Sequence, residues 1–182
     1  MKKISAKALV APQIHSVACP IFREMTLDER EQLLLLLDYE TYRKGEVILC
    51  EGNSNQILWI LVHGKCEVFN TAKNGAARQL ATLEPGAVFG EMSFFEKAPH
   101  SASIRALTEV QVMRLSREKY EQLRDSGSLA ACKIASSVNA ILAQRLRRMD
   151  EWTCGLLEKP EAAGHREEWG EFRAKLYSDW QF

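Results

Sequence analysis

Between Tyr39 and Ser116, glycines recur at positions 45, 52, 64, 75, 86 and 90. Between them lie short runs rich in β-forming residues: "EVILC", "QILWILVH", "KCEVF", "RQLATL" and "EVQVMRL". Strand-like runs every ~8–12 residues, separated by turn signals, predict an all-β sandwich or barrel. Asn74-Gly75 predicts a hairpin turn, because both residues tolerate the positive φ of a type I′ turn. "QILWILV" lacks polar alternation and predicts a strand covered on both faces, although so short an apolar run also fits a helix.

Helical signals flank this region. Thr26 and Glu29 have the spacing of a capping box, which starts a helix over 27–37. The "LLLLL" of 33–37 falls far short of the ~18–20 residues of a membrane span. It reads as a core helix packed on several sides. Ser116 is the N-cap for "REKYEQLRD", which Gly127 ends.

A longer helix is predicted from Leu129 to Trp152. Its apolar stripe is Ile134, Val138, Ile141, Leu142, Leu146 and Met149, with Lys133, Asn139, Gln144, Arg147 and Arg148 opposite. Such a stripe either lies on its own domain or pairs with the same helix of a second chain, and different turns can do each. The expected organisation is an N-terminal arm over 1–20, a domain over 21–150 and a partly helical tail over 151–182. Gly155, Pro160, Gly164 and Gly170 break up the tail. Within it, "REEWGEFRAKLYSDW" suggests a short amphipathic helix docking Trp169, Phe172 and Leu176.

Composition narrows the function. Of 182 residues 46% are apolar, enough for one buried core. Lys plus Arg and Asp plus Glu both number 24, so bulk charge gives no drive toward nucleic acid. Arg145, Arg147 and Arg148 form the dense basic cluster late in the chain. Five widely spaced cysteines without C-x-x-C read as reduced thiols of a cytoplasmic protein. The four histidines have no metal-ligand spacing, so no metal is expected. There is no G-x-S-x-G elbow, P-loop or H-E-x-x-H, and the chain reads as a non-enzyme without catalytic residues. Neither a secretory signal nor a membrane segment is seen.

The stretch "FGEMSFFEKAPHSASIRA", 89–106, has the makings of an anion cradle. Gly90 lets the backbone approach closely. A short helix over "MSFF" would direct its first N–H groups at an anion, and small residues at Ser101 and Ala102 would let a second set close around it. Glu91 would be repelled by a phosphate and suits a hydroxyl pair such as a ribose. Phosphate donors with one carboxylate for a sugar describe a nucleotide site.

Phe89-Gly90-Glu91, "MSFF" and Pro99-His100-Ser101-Ala102-Ser103-Ile104 resemble the phosphate-binding cassette of cyclic-nucleotide-binding domains of the catabolite activator and protein kinase A regulatory type. "YRKGEVILCEGNSNQILWILVHGKCEVF" is similar to the strand–Gly–strand entry of that family, and the resemblance covers about residues 21 to 150. It implies a mainly β jelly roll with an N-terminal helix and a long C-terminal helix. It also implies cAMP or cGMP as ligand, with no cofactor, held by Phe89, Gly90, Glu91, Met92, His100, Ser101 and Ala102. In that pattern Glu91 takes the ribose 2′-hydroxyl, and position 100 carries an arginine that pairs with the cyclic phosphate.

This chain has His100 there, which is shorter and mostly neutral at pH 7. Losing the charge-assisted bond would cost on the order of 1.5–3 kcal/mol. Arg105, on the opposite face of its strand, is expected in solvent. The long helix is implied as a lid, with Arg145 either capping the base or solvated beside its neighbours. No helix-turn-helix pattern follows, so a DNA-binding domain is not expected. Two readings remain. One is a sensor of cAMP or cGMP that moves its C-terminal helix to signal to an effector protein. The other is a degenerate domain used for ligand-independent dimerisation or protein interaction. In both, a homodimer would form through Ile134, Val138, Ile141, Leu142 and Met149.

Overall fold

The computed structural model describes residues 18–71, 77–157 and 169–172. They fall into two compact units, one ending at Val138 and the other beginning at Asn139. The division lies inside the long helix, whereas the sequence suggested a domain running to residue 150.

A 3-10 turn, Pro20–Phe22, precedes helix α1, Leu27–Leu36. Strands β1 (Asp38–Tyr42), β2 (Val47–Leu49), β3 (Ile57–His63), β4 (Cys66–Thr71), β5 (Ala77–Leu83) and β6 (Val88–Phe89) follow. Then come α2 (Glu91–Glu96), β7 (Ser103–Ala106), β8 (Val110–Ser116), α3 (Arg117–Asp125) and α4 (Leu129–Leu157). The strands form two antiparallel four-stranded sheets, ordered β1-β8-β3-β6 and β2-β7-β4-β5. This is the expected jelly roll with flanking helices. Thr71 pairs with Ala77 across the β4–β5 hairpin, and the Asn74-Gly75 turn lies outside the described residues.

Leu58 to Val62 are all buried, so β3 is covered on both faces as its unbroken apolar run predicts. One face turns Trp59 and Leu61 toward Leu49, Cys66, Phe89, Ile104, Ala106, Val110 and Val112. Alternation turns Leu58 and Ile60 to the other face. Helix α2 packs on β3 and α3 on β8.

Local chemistry starts the helices where the sequence placed them. Thr26 Oγ1 accepts from the Glu29 amide at 3.3 Å, and the Thr26 amide donates to Glu29 Oε2 at 2.7 Å. Glu29 also takes Lys133 Nζ at 2.7 Å, fastening α1 to the start of α4. Ser116 Oγ accepts from the Lys119 amide at 3.3 Å, and Gly127 follows α3 at φ +77°.

Three expectations are corrected, and one strand appears that the sequence did not signal. The leucine run is not enclosed: Leu33 and Leu37 are buried, but Leu35 is 68% exposed, because one stripe of α1 faces the core. "DYETY" forms β1, held by pairing with β8 rather than by its own pattern. Cys19 and Pro20 are packed rather than part of an arm: Cys19 is buried, and Ser137 Oγ donates to the Pro20 carbonyl at 3.2 Å. Ile134 and Val138 are 0% and 1% exposed within the first unit, so they have no surface to give a second chain and leave the expected dimer seam.

In the second unit α4 continues to Leu157. Ile141 and Leu142 are half-buried, while Leu146, Met149 and Trp152 are exposed. The rings of Trp169 and Phe172 lie 5.4 Å apart, and Leu176 is outside the described residues.

Candidate functional site

The site begins where β6 ends. Phe89 pairs with Trp59 of β3, and the two rings stack at 5.6 Å and 4°. The chain then turns at Gly90, whose φ of +76° opens α2 from the left-handed region. A Cβ at Gly90 would lie 2.5 Å from Trp59 Cε3 and 2.7 Å from the Ile57 carbonyl oxygen. Glycine is therefore required twice, by conformation and by space. Glu91 is the first residue of α2 and is buried, as are Ser93 and Phe94, whereas Met92 is largely exposed. The helix ends at Lys97, also left-handed at φ +64°.

The chain then reaches His100, which the sequence offered as an anion contact. Its backbone is clamped to the turn after β2: the His100 amide donates to the Asn53 carbonyl and the Gly52 amide donates to the His100 carbonyl, each at 2.9 Å. Its ring is only 4% exposed and lies edge-on to Trp59 at 6.0 Å. Nε2 is 2.7 Å from Asn55 Oδ1, and Nδ1 is 2.8 Å from Ser93 Oγ. The amide oxygen can only accept, so Nε2 carries the proton and Nδ1 accepts from the Ser93 hydroxyl, an assignment made from the hydrogen-bond partners. Burial pushes the imidazole pKa down, favouring that neutral form.

Beyond His100 come the small residues of the segment. Ser101 is exposed, with its hydroxyl 4.0 Å from Met92 Sδ, and Ala102 is half-buried. Ser103 is buried, and its Oγ accepts from the Glu51 amide at 2.9 Å. The 51–55 turn and the 100–103 segment are thus joined along their length. Arg105 is not the solvated side chain expected from its strand parity. It lies opposite Glu67 on β4, contacts that carboxylate at 2.6 Å and covers the Phe69 ring at 4.6 Å.

The structure therefore brings Phe89, Gly90, Glu91, Met92, His100, Ser101 and Ala102 into one corner. Arg145 belongs to the second unit, where it is exposed. Sequence reasoning missed Asn55, Ser93 and Trp59. The signals available were a polar residue in the turn before an apolar strand, and a hydroxyl on the apolar helix of the cassette. Among the described residues no group of three or more His, Cys, Asp or Glu is placed to hold a metal, and no helix is long and apolar enough to cross a membrane.

Comparison with known proteins bears on the fold. Residues 39–126 match the family described as the cyclic nucleotide-binding domain. The cyclic AMP receptor protein of Thermus thermophilus is 34% identical over 131 residues, covering 72% of this chain and 59% of that protein. A cAMP-dependent protein kinase regulatory subunit of Aspergillus niger is 30% identical over 104 residues, covering 57% of this chain and 25% of that one. Among solved structures, the Thermus thermophilus catabolite activator protein aligns with a TM-score of 0.66 at 32% identity, over 75% of this chain and 62% of that one. A cyclic nucleotide-binding domain from Methylobacillus flagellatus, 22% identical with a TM-score of 0.67, covers 79% of this chain and 81% of that one and shares the fold. The chain thus spans less than two thirds of the curated relatives named here. By fold and by these matches, residues 39–126 form a domain of the cyclic nucleotide-binding family.

Proposed function

We propose that the chain is a regulatory module that takes a cyclic nucleotide in the corner formed by Phe89, Gly90, Glu91, Met92, Ser101 and Ala102. It passes occupancy to a partner protein through α4. The observation that carries this reading is the Gly90–Glu91 turn. A left-handed glycine wedged against Trp59 brings a bare backbone to the cradle, and a buried carboxylate follows at once. That pairing suits an anionic group beside a sugar hydroxyl. Similarity to the cyclic AMP receptor protein of Thermus thermophilus makes cAMP the first ligand to try, with cGMP second.

Isothermal calorimetry of the wild type with cAMP and cGMP, repeated on Glu91→Gln, tests the assignment. A carboxylate that accepts from a ribose hydroxyl is worth roughly 1.5–3 kcal/mol, so the variant should bind about 10–100-fold more weakly. No heat with either nucleotide would sink the reading.

A second reading, a ligand-independent interaction module, draws support from His100, whose two ring nitrogens are already engaged. In either case we propose self-association through Ile141, Leu142 and Met149 of α4, where apolar side chains remain at least partly uncovered.

A further inference from the structure

We propose that Asn55 and Ser93 hold His100 as an internal tie of the cassette, so that an anion in the cradle is met by backbone N–H groups and not by the side chain at position 100. This rests on the nucleotide reading above for the identity of the anion, but the tie itself does not.

Four hydrogen bonds fix residue 100. Two run from its backbone to Gly52 and Asn53, and two from its ring to Asn55 and Ser93. A neutral imidazole has one N–H and one lone pair, and both are used. Turning the ring toward a ligand would break both ring bonds and strand the buried Ser93 hydroxyl. Protonating the ring in place would instead create a charge at a buried position beside Trp59. The tie joins three segments distant in sequence: the 52–55 turn, α2 through Ser93, and the entry to β7. The cassette helix is fastened to the barrel by the protein's own side chains. The geometry of the corner is then set before a ligand arrives, and the neutral His100 ring brings no charge to the anion.

The ring itself reports the answer. Long-range 1H–15N correlation spectra of the full chain, labelled at histidine, distinguish the two neutral tautomers from imidazolium. His100 should show the Nε2–H tautomer, and saturating cAMP should leave its ring shifts in place. Asn55→Ala removes the acceptor and should mix the tautomers and lower the unfolding midpoint. Asn55→Asp keeps an acceptor and, read well above neutral pH because its carboxylate favours imidazolium, should restore the Nε2–H tautomer. The proposal is overturned if cAMP drives the ring to the imidazolium pattern, or if Asn55→Ala leaves the tautomer as it was. Absence of binding by cAMP and cGMP would defeat the nucleotide reading, while the tautomer and its dependence on Asn55 would still decide the tie.

Discussion

The α-carbon of Gly90 rests on the six-membered ring of Trp59: a Cβ added there would stand 2.5 Å from Cε3 and 2.6 Å from Cζ3. Trp59 cannot retreat, because it is buried and stacked on Phe89. The Ile57 carbonyl on the same side is backbone. Gly90→Ala therefore combines left-handed strain of about 1–2 kcal/mol with overpacking of about 1–3 kcal/mol. Urea unfolding should show a loss of about 2–5 kcal/mol, the sum of those two terms. A loss below ~0.5 kcal/mol, the range of ordinary surface changes, would mean that the corner is not closed as described.

His100 should leave a signature in the pH dependence of stability. Burial holds its pKa below the ordinary imidazole value. The unfolded chain, titrating near 6.5, therefore takes up a proton at a higher pH than the folded one. As pH falls below ~6.5 the unfolded state binds more protons, so stability drops until the folded ring titrates as well. Above that window the contribution is fully present. Thermal unfolding from pH 8 to pH 5 should show the loss in the wild type and a smaller one in His100→Gln. Glu29, held below the usual carboxylate range first by its Lys133 hydrogen bond, adds its own acid loss only at lower pH. Parallel curves for the two proteins would show that the ring is not buried neutral.

The sequence carried the fold further than the site, and particular residues show why. Thr26–Glu29 and Ser116–Lys119 are interactions within one helical turn, so a short window contains both partners. β3 is legible because five successive buried side chains leave an unbroken apolar run. β1 is not, since "DYETY" is polar and its place is set by β8, where Arg114 Nη1 reaches Glu40 at 2.8 Å. The inward turn of His100 depends on Asn55, 45 positions earlier, and on a serine of α2, and no local pattern joins the three. Alternation correctly separated Arg105 from the cassette but could not supply Glu67, which arrives through the β4–β7 register.

Arg105 and Glu67 offer a test of that register. The pair meets at 2.6 Å with Glu67 mostly covered, and the guanidinium also lies over Phe69. Arg105→Ala removes the counter-charge of a nearly buried carboxylate together with a cation–π contact. The arginine is over a third exposed, so solvent screening reduces the effect to about 1–2 kcal/mol. A double-mutant cycle with Glu67→Gln should return a coupling of about 1 kcal/mol. Additive single losses would show that the contact carries no energy.

His100→Arg should separate stability from affinity. A guanidinium cannot lose its charge, and the space between Asn55, Ser93 and Trp59 is built for a neutral ring. The variant should unfold at lower temperature. On the nucleotide reading, an arginine driven from that space would add a charge-assisted bond of roughly 1.5–3 kcal/mol to a bound phosphate, or about 10–100-fold in affinity. Calorimetry alongside thermal unfolding checks both. Unchanged stability would count against the neutral pocket, and unchanged affinity would place position 100 out of reach of the anion.

The long helix makes opposite predictions along its length. Ile134 and Val138 are enclosed in the first unit, and truncation there opens a cavity. Ile134→Ala should cost about 2–5 kcal/mol whatever the oligomeric state. Leu146 and Met149, one helical turn apart, keep about half their surface exposed, 55% and 50%. Exposed apolar side chains at that spacing form the kind of stripe that a second helix covers. Leu146→Glu with Met149→Glu should leave the unfolding midpoint of the β domain nearly unchanged and shift light scattering toward the monomer. If the wild type already scatters as a monomer at micromolar concentration, α4 does not pair with its own copy. In that event the exposed stripe is left for a different protein.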